Sequence, residues 1–218
     1  MIIRAHHKNS DLVGLYYLLN SNIFIYPYST KLELDEYNKV ELTAYGSDMI
    51  GLYYILKEDV FIYPKNLLDR EIEIIRNSLN REGLETFQLS TNRNALSNNI
   101  HIGDRVVLVN PRMEKGVKRE LSDITGKEVI EISLGNYSTV GSLIYENRYG
   151  FVLGYRAGED NLKRLEELLG KQGYVGSLNS GFGFVRLCVV GNSEVSIIGK
   201  STTGIEEMRF REYLLPNN

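Results

Sequence analysis

The sequence predicts an α/β protein built as an array of five β-β-α-β units. Three observations carry that reading. First, residues 10–27 (SDLVGLYYLLNSNIFIYP) recur without a gap as residues 47–64 (SDMIGLYYILKEDVFIYP), with 11 of 18 positions identical. Unrelated stretches of ordinary composition would share roughly one position over that span. Second, the strand-ending positions fall at 27, 64, 111, 154 and 199, spaced by 37, 47, 43 and 45 residues. A period of this size marks repeated supersecondary units. Third, the pattern between the paired strands changes from period 2 to helical period.

The duplicated stretch opens the chain's structural pattern. LVGLYYLL, a short polar turn (NSN or KED) and a VFIYP-type run read as two strands joined by a tight turn. Aromatic and β-branched residues suit a pleated surface that is buried on at least one side. Pro27 and Pro64 end the second strand because proline cannot donate to the ladder. Three weaker copies follow at 93–111 (RNALSNNIHIGDRVVLVNP), 137–154 (YSTVGSLIYENRYGFVLG) and 182–199 (FGFVRLCVVGNSEVSIIG). Gly141 is in register with Gly51, and Gly199 ends the last of these hairpins.

Helices are expected between the hairpins. Residues 69–79 place Ile72, Ile75 and Leu79 on one face, and residues 113–124 place Val117, Leu121 and Ile124 on one face, with Gly126 just beyond. Residues 159–170 do the same with Leu162, Leu165 and Leu169, and Gly170 caps the end. The last helix starts at Thr203, which forms a capping box with Glu206. The first unit's helix, around 30–39 (TKLELDEYNK), is expected to be short, matching the 37-residue spacing. A further strand follows each inner helix, at 40–45, 84–90, 128–134 and 174–179. One such unit cannot bury its own apolar face, whereas five packed side by side can. Five units account for residues 1–218 as one domain. Periodicity alone leaves a closed ring and an open solenoid both available.

Composition narrows the function. A net charge of −3 argues against coating nucleic acid through the whole surface, and DNA is not an expected partner. The single cysteine, Cys188, excludes an intrachain disulfide framework and suits a reducing compartment. No apolar run is long enough for a signal peptide or a membrane span, so a cytoplasmic protein is expected. Gly199-Lys200-Ser201 sits between a strand and a helix, as a phosphate-binding loop would. The glycine such a loop needs five residues earlier is Glu194, so helix capping is the better reading. Three histidines without clustered carboxylates make a poor metal site, and no cofactor is expected. Cys188 lies in the apolar run RLCVV, where a thiol packs rather than reacts. His101 sits on the third hairpin, and His6 and His7 stand in polar sequence near the N-terminus. The pairs Tyr16-Tyr17 and Tyr53-Tyr54 could stack on bases, but core and interface packing is the better reading.

The motifs NALSN (94–98), TVGS (139–142), GNS (191–193) and GKSTTGIEE (199–207), with the MIIR start and the Asn179-Ser180-Gly181 turn, resemble the translation initiation factor 6 family in order and spacing. The resemblance covers the whole chain. It implies a pentein fold, a five-bladed α/β propeller with pseudo-fivefold symmetry. It also implies a non-enzymatic factor that binds the large ribosomal subunit on its intersubunit face. There it would contact a ribosomal protein near the rRNA loop used by translational GTPases, and would block joining of the small subunit. A role in large-subunit biogenesis and a monomeric state go with it. Two departures stand out: the family's glycine in the ALGN segment is Ser97, and the matching glycine of the fifth unit is Arg186. The chain ends at Asn218, directly after the last helix, so regulation through an extended tail is not expected.

By the same resemblance, the turns before the hairpin strands gather at one end and meet the ribosomal protein. Asn98 matches the asparagine of the ALGN segment, and its amide can pair with a partner's backbone or side chains. Asn94, Leu96, Ser97, Leu52, Ser47, Asp48, Ser138 and Thr139 are the accompanying candidates. Penteins also include guanidine-modifying enzymes that use a cysteine with histidine and carboxylates in the central channel. For that alternative Cys188 is the available nucleophile. A paralogue that keeps the propeller and binds another partner is the third reading.

Overall fold

The computed structural model describes residues 1–28 and 30–216. Among the described residues, fifteen strands form five three-stranded sheets, arranged as the blades of a propeller. The first blade is β2 (Leu18–Leu19), β3 (Ile23–Tyr26) and β4 (Asn38–Glu41). The second is β5 (Ile55–Lys57), β6 (Val60–Pro64) and β7 (Glu85–Leu89). The third is β8 (Ile100–Ile102), β9 (Val106–Val109) and β10 (Glu128–Glu131), and the fourth is β11 (Ile144–Glu146), β12 (Phe151–Gly154) and β13 (Gly173–Gly176). The fifth combines β14 (Val189–Gly191) and β15 (Ser196–Gly199) with β1 (Ile2–Ala5) from the far end of the chain. In every blade a hairpin pairs antiparallel, and the third strand runs parallel to its middle strand.

β1 decides between ring and solenoid. It pairs with β15 in the register Ile2↔Ser196 to Ala5↔Gly199, so the N-terminus completes the last blade and the ring closes. Closure leaves only short strand edges.

The α-helices of the described residues are α1 (Ile50–Tyr53), α2 (Asp69–Ile74), α3 (Leu96–Asn99), α4 (Lys115–Thr125), α5 (Val140–Leu143), α6 (Leu162–Leu169) and α7 (Gly204–Leu214). The expected faces are the buried ones: Val117 and Leu121 on α4, Leu165 and Leu169 on α6. Gly126 and Gly170 end these helices in the left-handed conformation. α2 runs on as a wider π-type turn through Leu79, which buries Ile75 and Leu79.

Two local expectations are corrected. Residues 30–39 form no helix; they cross to β4 as an extended segment, with Leu32, Leu34 and Tyr37 packed on the first blade. Leu32 and Leu34 are two apart, a strand spacing, and a helix this short does not sustain itself. The leading LVGLYY and MIGLYY are not strands either. They fold as single helical turns, Val13–Leu15 and α1, before the short strands begin. Equivalent turns are α3, α5 and Val185–Cys188, and the five touch in a ring about the propeller axis.

Backbone approaches backbone in this ring, which is why glycine belongs there. A Cβ on Gly14 would land on the carbonyl oxygen of Arg186, one on Gly51 on that of Gly14, and one on Gly141 on that of Ser97. The five ring positions are therefore 14, 51, 97, 141 and 186, with Ser97 and Arg186 substituting for glycine. The turn geometry also settles the tyrosine pairs: Tyr17 and Tyr54 are fully buried, while Tyr16 and Tyr53 are partly exposed. The apolar core lies mainly between neighbouring blades; Ile25, Tyr54, Phe61 and Leu79, for example, pack together across blades one and two. Phe24, Phe61 and Phe151 hold the same position on three middle strands and are fully buried, each contributing about 2–3 kcal/mol.

Candidate functional site

Strand direction gives the propeller two distinct ends. Each chain segment enters a blade through a tight turn, passes the axial ring, and runs along the first strand to the hairpin turn at the opposite end. The tight turns and the ring therefore share one end, and the candidate residues lie there.

These entry turns are built alike. Residues 7–10, 44–47, 134–137 and 178–182 each close on a single antiparallel bridge. Positive φ at Lys8 and Asn9, at Tyr45 and Gly46, and at Asn179, Ser180 and Gly181 makes them tight. A glutamate from the blade's own helix clamps three of the five entry turns. Glu71 has no exposed surface and accepts from Thr43 Oγ1 (2.7 Å) and from the backbone N–H groups of Tyr45 (3.0 Å), Gly46 (2.8 Å) and Leu68 (3.1 Å). Glu206 accepts from Ser177 Oγ (2.7 Å), Ser180 N (3.0 Å) and Gly181 N (2.8 Å) while completing the Thr203 capping box. Glu114 accepts from Thr91 Oγ1 (2.7 Å) and Asn92 N (2.9 Å). Burial pushes the Glu206 carboxyl up, but the Thr203, Gly181 and Ser180 N–H groups and the Ser177 hydroxyl outweigh it and hold the group below its usual range.

The candidate residues spread over blades two, three and four on this end. Asn98, at the end of α3, is partly exposed, and its Oδ1 is buried without a hydrogen-bond partner. Leu52 takes the same position on α1, which touches α3, and is also partly exposed. Ser47 accepts from Met49 N (3.2 Å), and Asp48 pairs with His7 Nε2 (3.3 Å) and with Lys8. Ser138 and Thr139 are partly exposed and lead into α5, whose Ser142 Oγ donates to the Thr139 carbonyl (2.8 Å). Asn94 is partly exposed. Leu96 is fully buried and Ser97 is 5% exposed, so their side chains hold the end together rather than face a partner from it.

Sequence reading missed three features here. His7, expected in polar surroundings, is 2% exposed, stacked on Tyr16 (4.5 Å) and paired with Asp48 of the next blade. The glutamate clamps were invisible except for the Glu206 box. The third is that Leu15 and Leu187 share the position of Leu52 and Asn98 and are also partly exposed. The repeated Gly-Leu pair was the signal for this axial cluster.

The opposite end opens into an axial cavity of about 360 Å³, floored by Ser97, Gly141 and Arg186 and walled by the first strand of every blade. Cys188 does not line it: the thiol is fully buried in the fifth blade's core, and burial pushes it far up, out of reach of ionisation. His101 and Glu146 do line the cavity, 2.8 Å apart, with Lys171 on the other Glu146 oxygen (2.7 Å).

A model of the eIF-6 family matches residues 2–213. The chain belongs to the eIF-6 family. Translation initiation factor 6 of Pyrobaculum arsenaticum is 32% identical over 148 residues, 68% of this chain and 66% of the relative. The factor of Pyrobaculum aerophilum is 33% identical over 132 residues, 61% of this chain and 60% of the relative. These alignments thus span about two thirds or less of those relatives' lengths. The factor of Thermoplasma acidophilum aligns over more, 97% of this chain and 78% of the relative, at 25% identity. Among solved structures, the N-terminal domain of ArgZ, a cyanobacterial arginine dihydrolase, superposes with a TM-score of 0.57 at 10% identity, over 83% of this chain and 71% of that one. DDAH from Pseudomonas aeruginosa gives 0.53 at 12%, over 94% and 75%. Such likeness shows the pentein fold alone. The relatives by sequence are named translation initiation factors, not enzymes. No helix of the described residues is long and apolar enough to cross a membrane.

Proposed function

We propose that this eIF-6 family protein is a ribosome anti-association factor acting as a cytoplasmic monomer. Its entry-turn end docks on a ribosomal protein of the large subunit's intersubunit face, near an rRNA loop, and its bulk excludes the small subunit. A part in large-subunit biogenesis belongs to the same reading. Asn98 supports it most directly: a partly exposed amide whose buried Oδ1 has no partner among the described residues. An unmet acceptor costs free energy in the isolated protein, and rotation of the amide that brings Oδ1 to the surface would let a partner's donor recover that cost. Leu52 beside it supplies apolar contact, and Ser47, Asp48, Ser138 and Thr139 supply a polar rim. Asn94 flanks the same helix. Leu96 and Ser97 act by holding α3 in place.

Occlusion needs a stable shape and no chemistry. The guanidine-modifying alternative would require an ionisable thiol in the axial cavity. Cys188 is buried elsewhere, with a raised pKa. The test is co-sedimentation with purified large subunits. Asn98→Asp replaces the amide's donors with acceptors on a partly exposed side chain, so it should weaken co-sedimentation while leaving the circular dichroism and melting curve unchanged. Unchanged co-sedimentation removes Asn98 from the interface. If the wild type itself fails to travel with large subunits but a pull-down captures another protein, the paralogue reading takes its place.

A further inference from the structure

We infer that the axial cavity is a binding site for a small monocarboxylate with an apolar tail, seated on Arg186. Ser97 and Arg186 are the two ring positions that are not glycine; they flank Gly141, which has no side chain, and all three line the cavity floor. On the floor Gly141 thus lies between Ser97, which bears a hydroxyl, and Arg186, whose guanidinium reaches to the Gly14 and Val189 carbonyls.

Among the described residues, no acidic group pairs with Arg186. Its Nη1 donates to the carbonyls of Val189 (3.2 Å) and, more weakly, Gly14 (3.5 Å), and among the described residues it forms no salt bridge. Burial holds the guanidinium below its usual range, with only the Tyr145 hydroxyl opposing the effect, which marks a charge without compensation. Of the four carboxylates that line the cavity, Glu58 and Glu194 are exposed at the mouth, and the two less exposed ones are already committed. Glu146 is 1% exposed and engaged by His101, by Lys171 and by the Asp104 N–H (3.3 Å). Asp104 is paired with Lys57 and Lys171. Of the floor residues Ser97, Gly141 and Arg186, Arg186 alone carries a charge, while the charges of Glu58, Arg148 and Glu194, unpaired among the described residues, are exposed at the mouth.

Part of the wall above it is apolar, beside the polar groups of His101, Glu146 and the mouth. Leu19, Leu56 and Ile102 hold equivalent positions on the first strands of three blades, and Ile144 and Val190 add to the lining. A planar guanidinium fork fits a carboxylate, and one charge matches one charge; a phosphate dianion would leave charge unbalanced in a low-dielectric floor. The cavity volume lies in the range of small-ligand pockets. Hydrogen bonds between blades also keep the mouth in shape. Asn20 Nδ2 donates to Glu58 O (2.6 Å), Asn192 Nδ2 to Asn20 O (2.8 Å) and Arg148 N to Ser193 Oγ (3.3 Å). A preformed mouth costs little ordering on binding.

Sodium hexanoate is the probe, titrated calorimetrically into the full chain, with 1-hexanol and inorganic phosphate as controls. One saturating hexanoate per chain is expected, with weaker or no binding of both controls. Arg186→Met should lower hexanoate affinity by about tenfold or more, the worth of one charge-assisted hydrogen bond. Leu56→Phe narrows the wall without touching the guanidinium, and should weaken hexanoate in a protein that melts normally. It keeps the test decisive if Arg186→Met does not fold. Absence of saturable hexanoate binding to the wild type would overturn the proposal, and so would equal binding of hexanol or phosphate. Affinity unaffected by either folded variant would overturn it too.

Discussion

Glu71 is a carboxylate with no exposed surface and four donors around it, three of them backbone N–H groups. Removing it would leave those N–H groups buried and unmet, at about 1–3 kcal/mol each when no water reaches them. Glu71→Ala should therefore lower the unfolding free energy by about 3–5 kcal/mol, read from urea titration; a loss below about 1 kcal/mol would show that the clamp is dispensable. At this scale the sequence was only partly legible. Thr203 and Glu206 declared themselves because a capping box is local. Glu71 and Glu114 reach turns more than 20 residues away, and no local pattern announces that. His7 was misjudged for the same reason: its partner Asp48 lies in the next blade. Asn98 was legible through its motif, yet its unmet Oδ1 needed coordinates.

At the scale of elements, the duplicated stretch was read as two strands where it forms a helical turn and one short hairpin. Aromatic, apolar runs favour a strand locally, and the axial crowding that overrides this preference is visible only when five blades meet. The glycines record that crowding. Gly51→Ala would drive a methyl group into the Gly14 carbonyl, so ring backbone must move. The expected cost is about 2–4 kcal/mol with loss of soluble protein at high temperature, measured as a fall in melting temperature. A neutral Gly51→Ala would show that the ring is looser than its backbone contacts imply. The helices α4 and α6 are legible because their apolar periodicity and glycine caps agree, and the start of α7 is legible through its Thr203 capping box. The segment 30–39 was misread because charge and length mimicked a helix, while the spacing of Leu32 and Leu34 did not.

At the scale of the molecule, closure is the feature that sequence left open. Number and order of units were plain from spacing, but the pairing of β1 with β15 joins residues nearly 200 positions apart. Deleting residues 1–5 should leave the fifth blade with two strands and an exposed edge, giving an aggregating or partly unfolded product in size-exclusion chromatography. A monomeric, normally melting deletion would contradict closure as a source of stability. Acid should weaken the ring as well. Burial pushes Asp104 up, but the Lys171 and Lys57 ammonium groups outweigh it and hold its carboxyl at about 2, and Glu146 and Glu206 are also held below their usual range. Depressed carboxylates contribute stability that is fully present above their unfolded pKa, near 4, and is lost as pH falls toward 2. Urea midpoints should accordingly drop between pH 4 and pH 2, and a flat profile there would count against these pairs.

The central claim is that a rigid propeller, docked by its entry-turn end, keeps ribosomal subunits apart. Purified large and small subunits mixed with this protein and separated on a sucrose gradient test it most directly. The account predicts fewer joined particles as protein is added, with the protein travelling in the large-subunit fraction. Undiminished joined particles, with the protein remaining at the top of the gradient, would contradict it.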